Sequence, residues 1–573
     1  MAHTRWAPKL PSQLSDKLAF KNSSRESLHS VELESSDSHQ KVTSTKEPES
    51  VSNQFPHGFR LVLLVAAVML TVFLTSLDQT IVGTAIPKIT DDFRGLSQVS
   101  WYGSAYFMCL GGFQSSWGKA FKYFPLKSTF LTSILLFEIG SLICGIAPNS
   151  NVFIVGRALA GVGGAGVSTG GTIVLAFSTE PEKRPLLMTF VGVSYTIASI
   201  CGPVMGGVFT QRLTWRWCFY INLPLGGTGL AILAIFFHTP PSAKPLKASW
   251  KEKFLQMDPL GIALTMGCFI SFILALQYGG QSHAWSSSVV ICLLVAFVTL
   301  LLTLIAWEIC QGDYAMLPPR LLKRRALWAG CLFQLFFSGS YFILLYYIPL
   351  FFQSINEMGA IKSSLSNMPL FLACCFGIIT GGMTVTKTHQ AAPFMVIGSA
   401  LASATMGLVY MADAETSEGM WVVYQLLLGL VLAFPFQNAI NIAHADADPE
   451  DVPTVSSTIY FFQVLGGAFS TSAAQSAFVN RLVSSVITNA PEANPQQLIF
   501  TGATELRSVF PPEQLPGVLQ AYLDGIKASF AVAIGMTGIS FVISLMVPWK
   551  RLHTRTESDA THAASSNRLS FLA

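Results

Sequence analysis

The chain has 573 residues, of which 51% are hydrophobic and 12% charged, with a formal net charge of +4. A soluble chain carries about 25% charged residues, so a surface that faces only water is excluded. The basic residues are scattered among polar breaks rather than gathered into a stripe, which gives no footing for a nucleic-acid partner.

Residues 1–57 are rich in Ser, Lys and Glu and lack apolar periodicity, so the sequence predicts a disordered cytosolic tail. They contain no apolar run long enough for a signal peptide. From Arg60 onward, runs of about 20 apolar residues alternate with short polar breaks. Fourteen spans are expected near 61–86, 98–117, 126–146, 152–178, 185–211, 217–238, 258–278, 288–309, 327–352, 364–385, 391–411, 419–443, 454–479 and 527–547. A helix satisfies its own backbone at that length, so the predicted class is an all-α polytopic membrane protein.

An even number of spans puts both termini on one side. The breaks on that side hold Lys119, Lys122, Lys127, Lys183, Arg184, four lysines between 244 and 253, Arg320, Lys323, Arg324, Arg325 and Lys387. The opposite breaks hold Lys88, Arg94, Arg212, Arg216 and Lys362, and the one near Asp413, Glu415 and Glu418 is acidic. The positive-inside rule therefore predicts cytosolic termini. The one Asn-x-Ser/Thr triplet, at Asn22, falls in the cytosolic tail, which is compatible with that orientation. Ten cysteines lie in or beside apolar segments without metal spacing, and they read as reduced packing residues.

Within the first span stands Asp78, flanked by Thr75, Ser76, Gln79 and Thr80. A carboxylate at that depth costs about 2.5–3.5 kcal/mol on insertion scales, and it either exchanges a proton or pairs with a neighbouring helix. Glu138 in the third span reads as a structural pair or an interfacial residue. The fourth span opens on Gly156-Arg157 and continues through Gly161 and Gly163, an arginine that can hold a carboxylate inside a glycine-rich helix. In the fifth, Gly202 and Gly206 lie four apart on one face for close helix approach, and Pro203 bends the chain.

The pair of spans from Asp258 reads as a peripheral scaffold, with Glu308 snorkelling at its end. In the last six spans the polar groups are amides and phenols. Gln334, Tyr346, Gln437, Asn438, Asn441 and Gln463 are candidates for a cavity that holds a bulky, uncharged organic molecule, each with an interhelical hydrogen bond as its plainer role. Residues 481–526 read as a long outward segment, amphipathic near Leu515, Val518, Leu519 and Tyr522.

Three motifs in order carry a resemblance: Leu77-Asp-Gln-Thr-Ile-Val82 running on to Pro87-Lys-Ile89, Arg157 with its glycines, and Gly202-Pro203-x-x-Gly206-Gly207. Over 60–552 the chain resembles a major facilitator superfamily transporter, in the fourteen-span drug:H+ antiporter branch that includes fungal mycotoxin and multidrug efflux carriers. The resemblance implies a 58–238 six-helix bundle, two inserted helices within 239–326, a second bundle over 327–549 and a 550–573 cytosolic tail. It implies proton coupling through Asp78 and Arg157 and tight packing at the fifth-helix glycines. Such families usually carry a latching aspartate in the break after the second span, but here 118–127 is basic and aromatic.

The expected function is export of a hydrophobic or amphipathic small molecule in exchange for protons, by a monomer in the plasma membrane. An importer of siderophores or basic amino acids, or a vacuolar location, stays open. No phosphate-binding loop, metal cluster or nucleophile–base set appears, so neither an enzyme, a metal nor a cofactor is expected.

Overall fold

The computed structural model describes residues 58–93, 99–180, 183–240, 243–501, 506–549 and 551. The expected tails, 1–57 and, apart from Arg551, 550–573, lie outside the described residues, as does Arg94. All described residues belong to one compact unit.

The first half holds α1 (Phe59–Phe93), α2 (Val99–Tyr123), α3 (Leu126–Ile146), α4 (Ser150–Ser178), α5 (Arg184–Arg212), α6 (Trp217–Tyr220) and α7 (Asn222–Phe236). Between the halves come α8 (Trp250–Gln256), α9 (Pro259–Tyr278) and α10 (Ser288–Gln311), followed by α11 (Pro319–Leu322). The second half holds α12 (Arg325–Ser354), α13 (Ala360–Ser366), α14 (Met368–Thr388), α15 (Ala392–Met411), α16 (Glu418–Phe436), α17 (Asn438–Ala445), α18 (Val452–Asn489), α19 (Pro495–Phe500), α20 (Leu506–Val509) and α21 (Leu515–Ser544). Short polar residues start several of them: Asn149 accepts from the Val152 amide at 3.0 Å, and Ser249, Ser287 and Ser417 cap in the same way.

Twelve helices among the described residues are long and apolar enough to cross a membrane. Two long helices, α2 and α18, fall outside that set because they turn Gln114, Gln463, Gln475 and many Ser and Thr residues inward. The expected outward segment of 481–526 is shorter than the sequence suggested. Helix α18 runs on to Asn489 and α21 begins at Leu515, because the amphipathic face packs back. Val518 is fully buried, Tyr522 meets the Phe478 ring at 5.3 Å, and Ser485 donates to Asp524 at 2.7 Å. All ten cysteines are free, and Cys292 and Cys310 sit exposed on α10.

Two close approaches set the first bundle. A Cβ on Gly202 would stand 2.0 Å from Thr80 Oγ1, and one on Gly206 would stand 2.8 Å from the Ile81 carbonyl, so α5 lies backbone to backbone against α1. On α4, a Cβ on Gly163 would come within 2.2 Å of the Phe137 backbone nitrogen, and one on Gly161 within 2.4 Å of the Tyr106 carbonyl. Helix α4 is therefore gripped between α2 and α3. Backbone atoms cannot swing aside as a flexible side chain can. Gly163→Val should destabilise the fold by about 1–3 kcal/mol, read as a fall of several degrees in the thermal midpoint of the detergent-purified protein. Gly227→Ala, whose Cβ meets nothing within 4 Å, should leave that midpoint unchanged or raise it slightly.

Candidate functional site

A cavity of about 620 Å³ lies between the two halves, lined by α1, α2, α4, α5, α9, α12, α16, Gln437 and α18. Its wall includes six glutamines (79, 114, 277, 437, 463 and 475) and four tyrosines (195, 346, 347 and 460), and none of its lining residues is Asp, Glu, Lys, Arg or His. Phe107, Phe342, Phe436 and aliphatic side chains fill the spaces between them. Several of these polar groups are tied to one another. Tyr347 donates to Gln475 at 2.9 Å, Tyr195 to Gln79 at 3.3 Å, and Gln114 to Thr169 at 2.5 Å. Tyr346 stands 46% exposed even though it lies mid-helix, because it looks into this space.

Of the residues expected on the wall, Tyr346, Gln437 and Gln463 line it. Gln334, Asn438 and Asn441 do not. Asn438 turns back to the Phe434 carbonyl at 2.7 Å, Asn441 meets Asn438 at 3.5 Å, and Gln334 is buried inside its own bundle. The sequence reading missed Gln79, Gln114, Tyr195, Tyr460 and Gln475. A polar residue on an apolar helix advertises burial, but the face it occupies depends on neighbours far along the chain. Gln79 was within reach: Ser76 and Gln79, three apart, share the face of α1 that meets the cavity.

Helix α9 differs from expectation. Its Ile273 and Gln277 line the cavity, so α9 forms part of the wall rather than a peripheral scaffold. It leans on α2 and α18, over the seam between the halves. Glu308 does not snorkel; it is buried and accepts from the Leu317 amide at 2.8 Å. Asp258 caps α9 at the Gly261 amide (2.9 Å) and also accepts from Trp307 (2.8 Å) and the Met316 amide (3.0 Å).

Asp78 and Arg157 stand outside the cavity wall, inside the first bundle. They form a salt bridge with side chains 0% and 1% exposed. Arg157 Nε also donates to the Tyr102 carbonyl at 3.0 Å, and its guanidinium lies 4.5 Å over the Tyr106 ring. Neither faces lipid. Gly156, the first of the fourth-helix glycines, packs its open side on Cys144 of α3, and Pro203 sits between the two α5 glycines that hold α1. Gly207 faces Ile361 of α13.

At the basic ends of the helices the halves are clamped. Asp451, just before α18, accepts from Lys122 at 2.7 Å and from Arg320 at 3.0 and 3.1 Å. Arg324 pairs with Asp448 at 2.5 Å and reaches the Asp446 carbonyl at 2.7 Å. Lys119 donates to Gln256 at 2.9 Å and to the Asp313 carbonyl at 2.6 Å. Above the clamp, Thr172 of α4 and Tyr460 of α18 share a hydrogen bond of 2.7 Å at the cavity floor. From that floor the lining climbs to Gly103, Ile86 and Leu350, near the opposite helix ends. The missing aspartate after α2 is thus replaced with the polarity reversed: the cations are on α2 and α11, and the acid is at the start of α18. Burial alone would raise the Asp451 carboxyl, but the hydrogen bond and charge of Lys122, then of Arg320, outweigh it and hold the group below its ordinary value.

The Major Facilitator Superfamily profile matches residues 68–471. Among curated proteins, the MFS-type transporter thnB of Trichoderma harzianum is 59% identical over 504 residues, 88% of this chain and 87% of that protein. The probable efflux pump gsfJ of Penicillium aethiopicum is 45% identical over 94% of this chain and 96% of its own length. Among solved structures, the proton:xylose symporter XylE superposes with a TM-score of 0.57 at 13% identity, over 87% of this chain and 98% of that one, a likeness of fold.

Because the Asp451 carboxyl is held low, its ion pairs contribute above the ordinary carboxylate range and are lost only as pH falls through the depressed value. The Asp451 ion pairs should therefore hold unchanged between pH 5 and 8. Asp451→Asn removes its charge at every pH. Hydrogen exchange at 118–123 and 453–460 should then quicken about tenfold, the equivalent of about 1.4 kcal/mol. Exchange equal to wild type would show that these contacts carry no closure energy.

Proposed function

The chain belongs to the Major Facilitator Superfamily, and from that premise we propose that it exports a neutral, hydrophobic or amphipathic metabolite across the plasma membrane in exchange for protons. The relatives include proteins named as a transporter and as an efflux pump, which supports the outward direction. The observation that carries the reading is the division of labour inside the molecule. A large cavity with amide, phenol and apolar walls suits an uncharged cargo with a few hydrogen-bonding groups. A buried Asp78–Arg157 pair stands beside it without touching it.

In this reading α2 and α18 complete fourteen crossings, the termini and the basic helix ends are cytosolic, and the structure represents the state closed to the cytosol. Helix α1 links the two functions. Ser76 and Gln79 face the cargo space, while Asp78 faces Arg157. Uptake of a proton by Asp78 would loosen its hold on Arg157 and let α1 shift against α4. Because α1 is locked to α5 at Gly202 and Gly206, that shift would carry the cavity wall with it. The carrier acts as a monomer, with lipid around it and no cofactor.

Import of a basic amino acid is the weaker alternative, since no carboxylate lines the cavity to receive a cationic side chain. In inside-out vesicles with an acidic lumen, a neutral apolar metabolite should accumulate, and the accumulation should collapse when the pH gradient is dissipated. Asp78→Asn should reduce gradient-driven accumulation at least tenfold while leaving cargo binding within about threefold of wild type. Full accumulation in that variant would remove Asp78 from the coupling step.

A further inference from the structure

Glu138 of α3 was expected to be a structural pair or to sit at the interface, and the structure gives it neither role. It is 8% exposed, and both carboxylate oxygens are buried without a hydrogen-bond partner. An unsolvated carboxylate with no donor or cation beside it is among the most costly groups to place in an apolar bundle, so in this state the group carries its proton.

The surroundings are arranged for that group. Its Oε1 would lie 1.6 Å from a Cβ on Gly226 of α7, so the carboxyl fills the space that the glycine leaves, and a side chain at 226 would displace it. One turn away, Asn222 of α7 donates to the Ser141 hydroxyl of α3 at 3.1 Å, and the Asn222 side chain also stands beside Asp78. Glu138 and Ser141 are three apart on α3, and Asn222 and Gly226 are four apart on α7, so the two helices present these four residues face to face. Asp78 Oδ1 and Asn222 Oδ1 are likewise buried without a donor. Acceptor oxygens from α1, α3 and α7 therefore gather in one small polar island that is short of hydrogens.

The charged or titratable groups of this region are Asp78 on α1, its partner Arg157 on α4 with Tyr106 of α2 beneath it, Cys144 on α3, and Cys218 and Tyr220 on α6. Helix α7 brings no ionisable side chain. Since α3 runs away from the basic face, Glu138 lies about 4.5 Å nearer that face than Ser141 does.

We propose that Glu138 is a second proton-binding site, and that protons pass through the first bundle by way of Asp78 and Glu138, beside the cargo cavity rather than through it. The proton bound on one carboxyl is released to the other carboxylate, so one site empties as the next fills and the net charge of the island is unchanged. None of the island residues lines the cavity, which keeps cargo and proton apart. This inference rests on the proton-exchange reading above.

The test uses the full-length protein in proteoliposomes, with a fluorescent neutral apolar dye as cargo. Two readouts are needed: dye accumulation driven by a pH gradient, and gradient-free dye counterflow. Glu138→Gln, which mimics the protonated acid in shape, should lower driven accumulation at least tenfold while counterflow stays within about twofold of wild type. Glu138→Asp, which keeps a carboxyl but withdraws it by one methylene, should shift the pH of half-maximal driven accumulation by about half a unit or more. Driven accumulation at the wild-type level in Glu138→Gln, equal loss of both readouts, or an unmoved pH profile in Glu138→Asp would each overturn the proposal. If wild type itself ignores the gradient, the exchange reading falls with it, and that result is distinguishable from failure at Glu138 alone.

Discussion

The pairing of Arg157 with Asp78 is the constraint around which the first bundle is built. A guanidinium withdrawn from water loses several kcal/mol of solvation, and removing one partner of such a pair typically costs about 3–5 kcal/mol. Here the deficit is met from three sides at once, by the Asp78 carboxylate, the Tyr102 carbonyl and the Tyr106 ring. Those groups belong to α1 and α2, whereas Arg157 belongs to α4, so the pair holds only where the three backbones come close. The glycines of α4 make that approach possible: any side chain at 161 or 163 would strike backbone of α2 or α3. Ion pair and glycine face are two halves of one requirement.

A second consequence follows at the basic helix ends. Because α2 brings lysines there instead of an acid, the counter-charge has to come from across the seam, and Asp451 supplies it. Arg320, just before α12, shares the same carboxylate. One acid thereby joins the first bundle, the segment after the insertion and the start of α18. The insertion is joined to that region through Lys119, which reaches both Gln256 and Asp313. Helix α9 then passes along α2 and α18 with Ile273 and Gln277 toward the cavity. Helix α9 is thereby part of the seam it covers.

What the sequence makes legible is what depends on local pattern. Hydrophobic length gives the helices, Asn149, Ser249, Asp258 and Ser287 mark starts, and Gly202 with Gly206 announces a close contact. The partner of each contact is not written locally. That Gly202 meets Thr80, or that Lys122 meets Asp451, 329 positions further along the chain, is settled only by the packing. The same limit governs the cavity. Gln334 and Gln463 look alike in sequence, since both are amides in apolar runs, yet one is enclosed and the other looks into open space. The end of α18 is hidden for another reason: Arg481, Ser484 and Ser485 read as a polar break, but they continue a helix in which Arg481 and Ser485 are held by Asp524 of α21.

Separation of the buried acids from the cavity restricts how cargo and proton can be linked in the proposed exchange. Two ligands that never touch can influence each other only if each favours a different arrangement of an element they share. Helix α1 is the element available, because Gln79 faces the cargo space and its neighbour Asp78 faces Arg157. In the state closed at the basic face, Tyr195 of α5 donates to Gln79, and Thr80 reaches the Ala198 carbonyl at 3.4 Å. A cargo that takes the Gln79 amide for itself competes with Tyr195 and weakens the tie between α1 and α5. A proton on Asp78 weakens the tie between α1 and α4. The two events act on different faces of one helix, so neither requires the cargo to carry charge, and the cavity's neutral walls are consistent with that division.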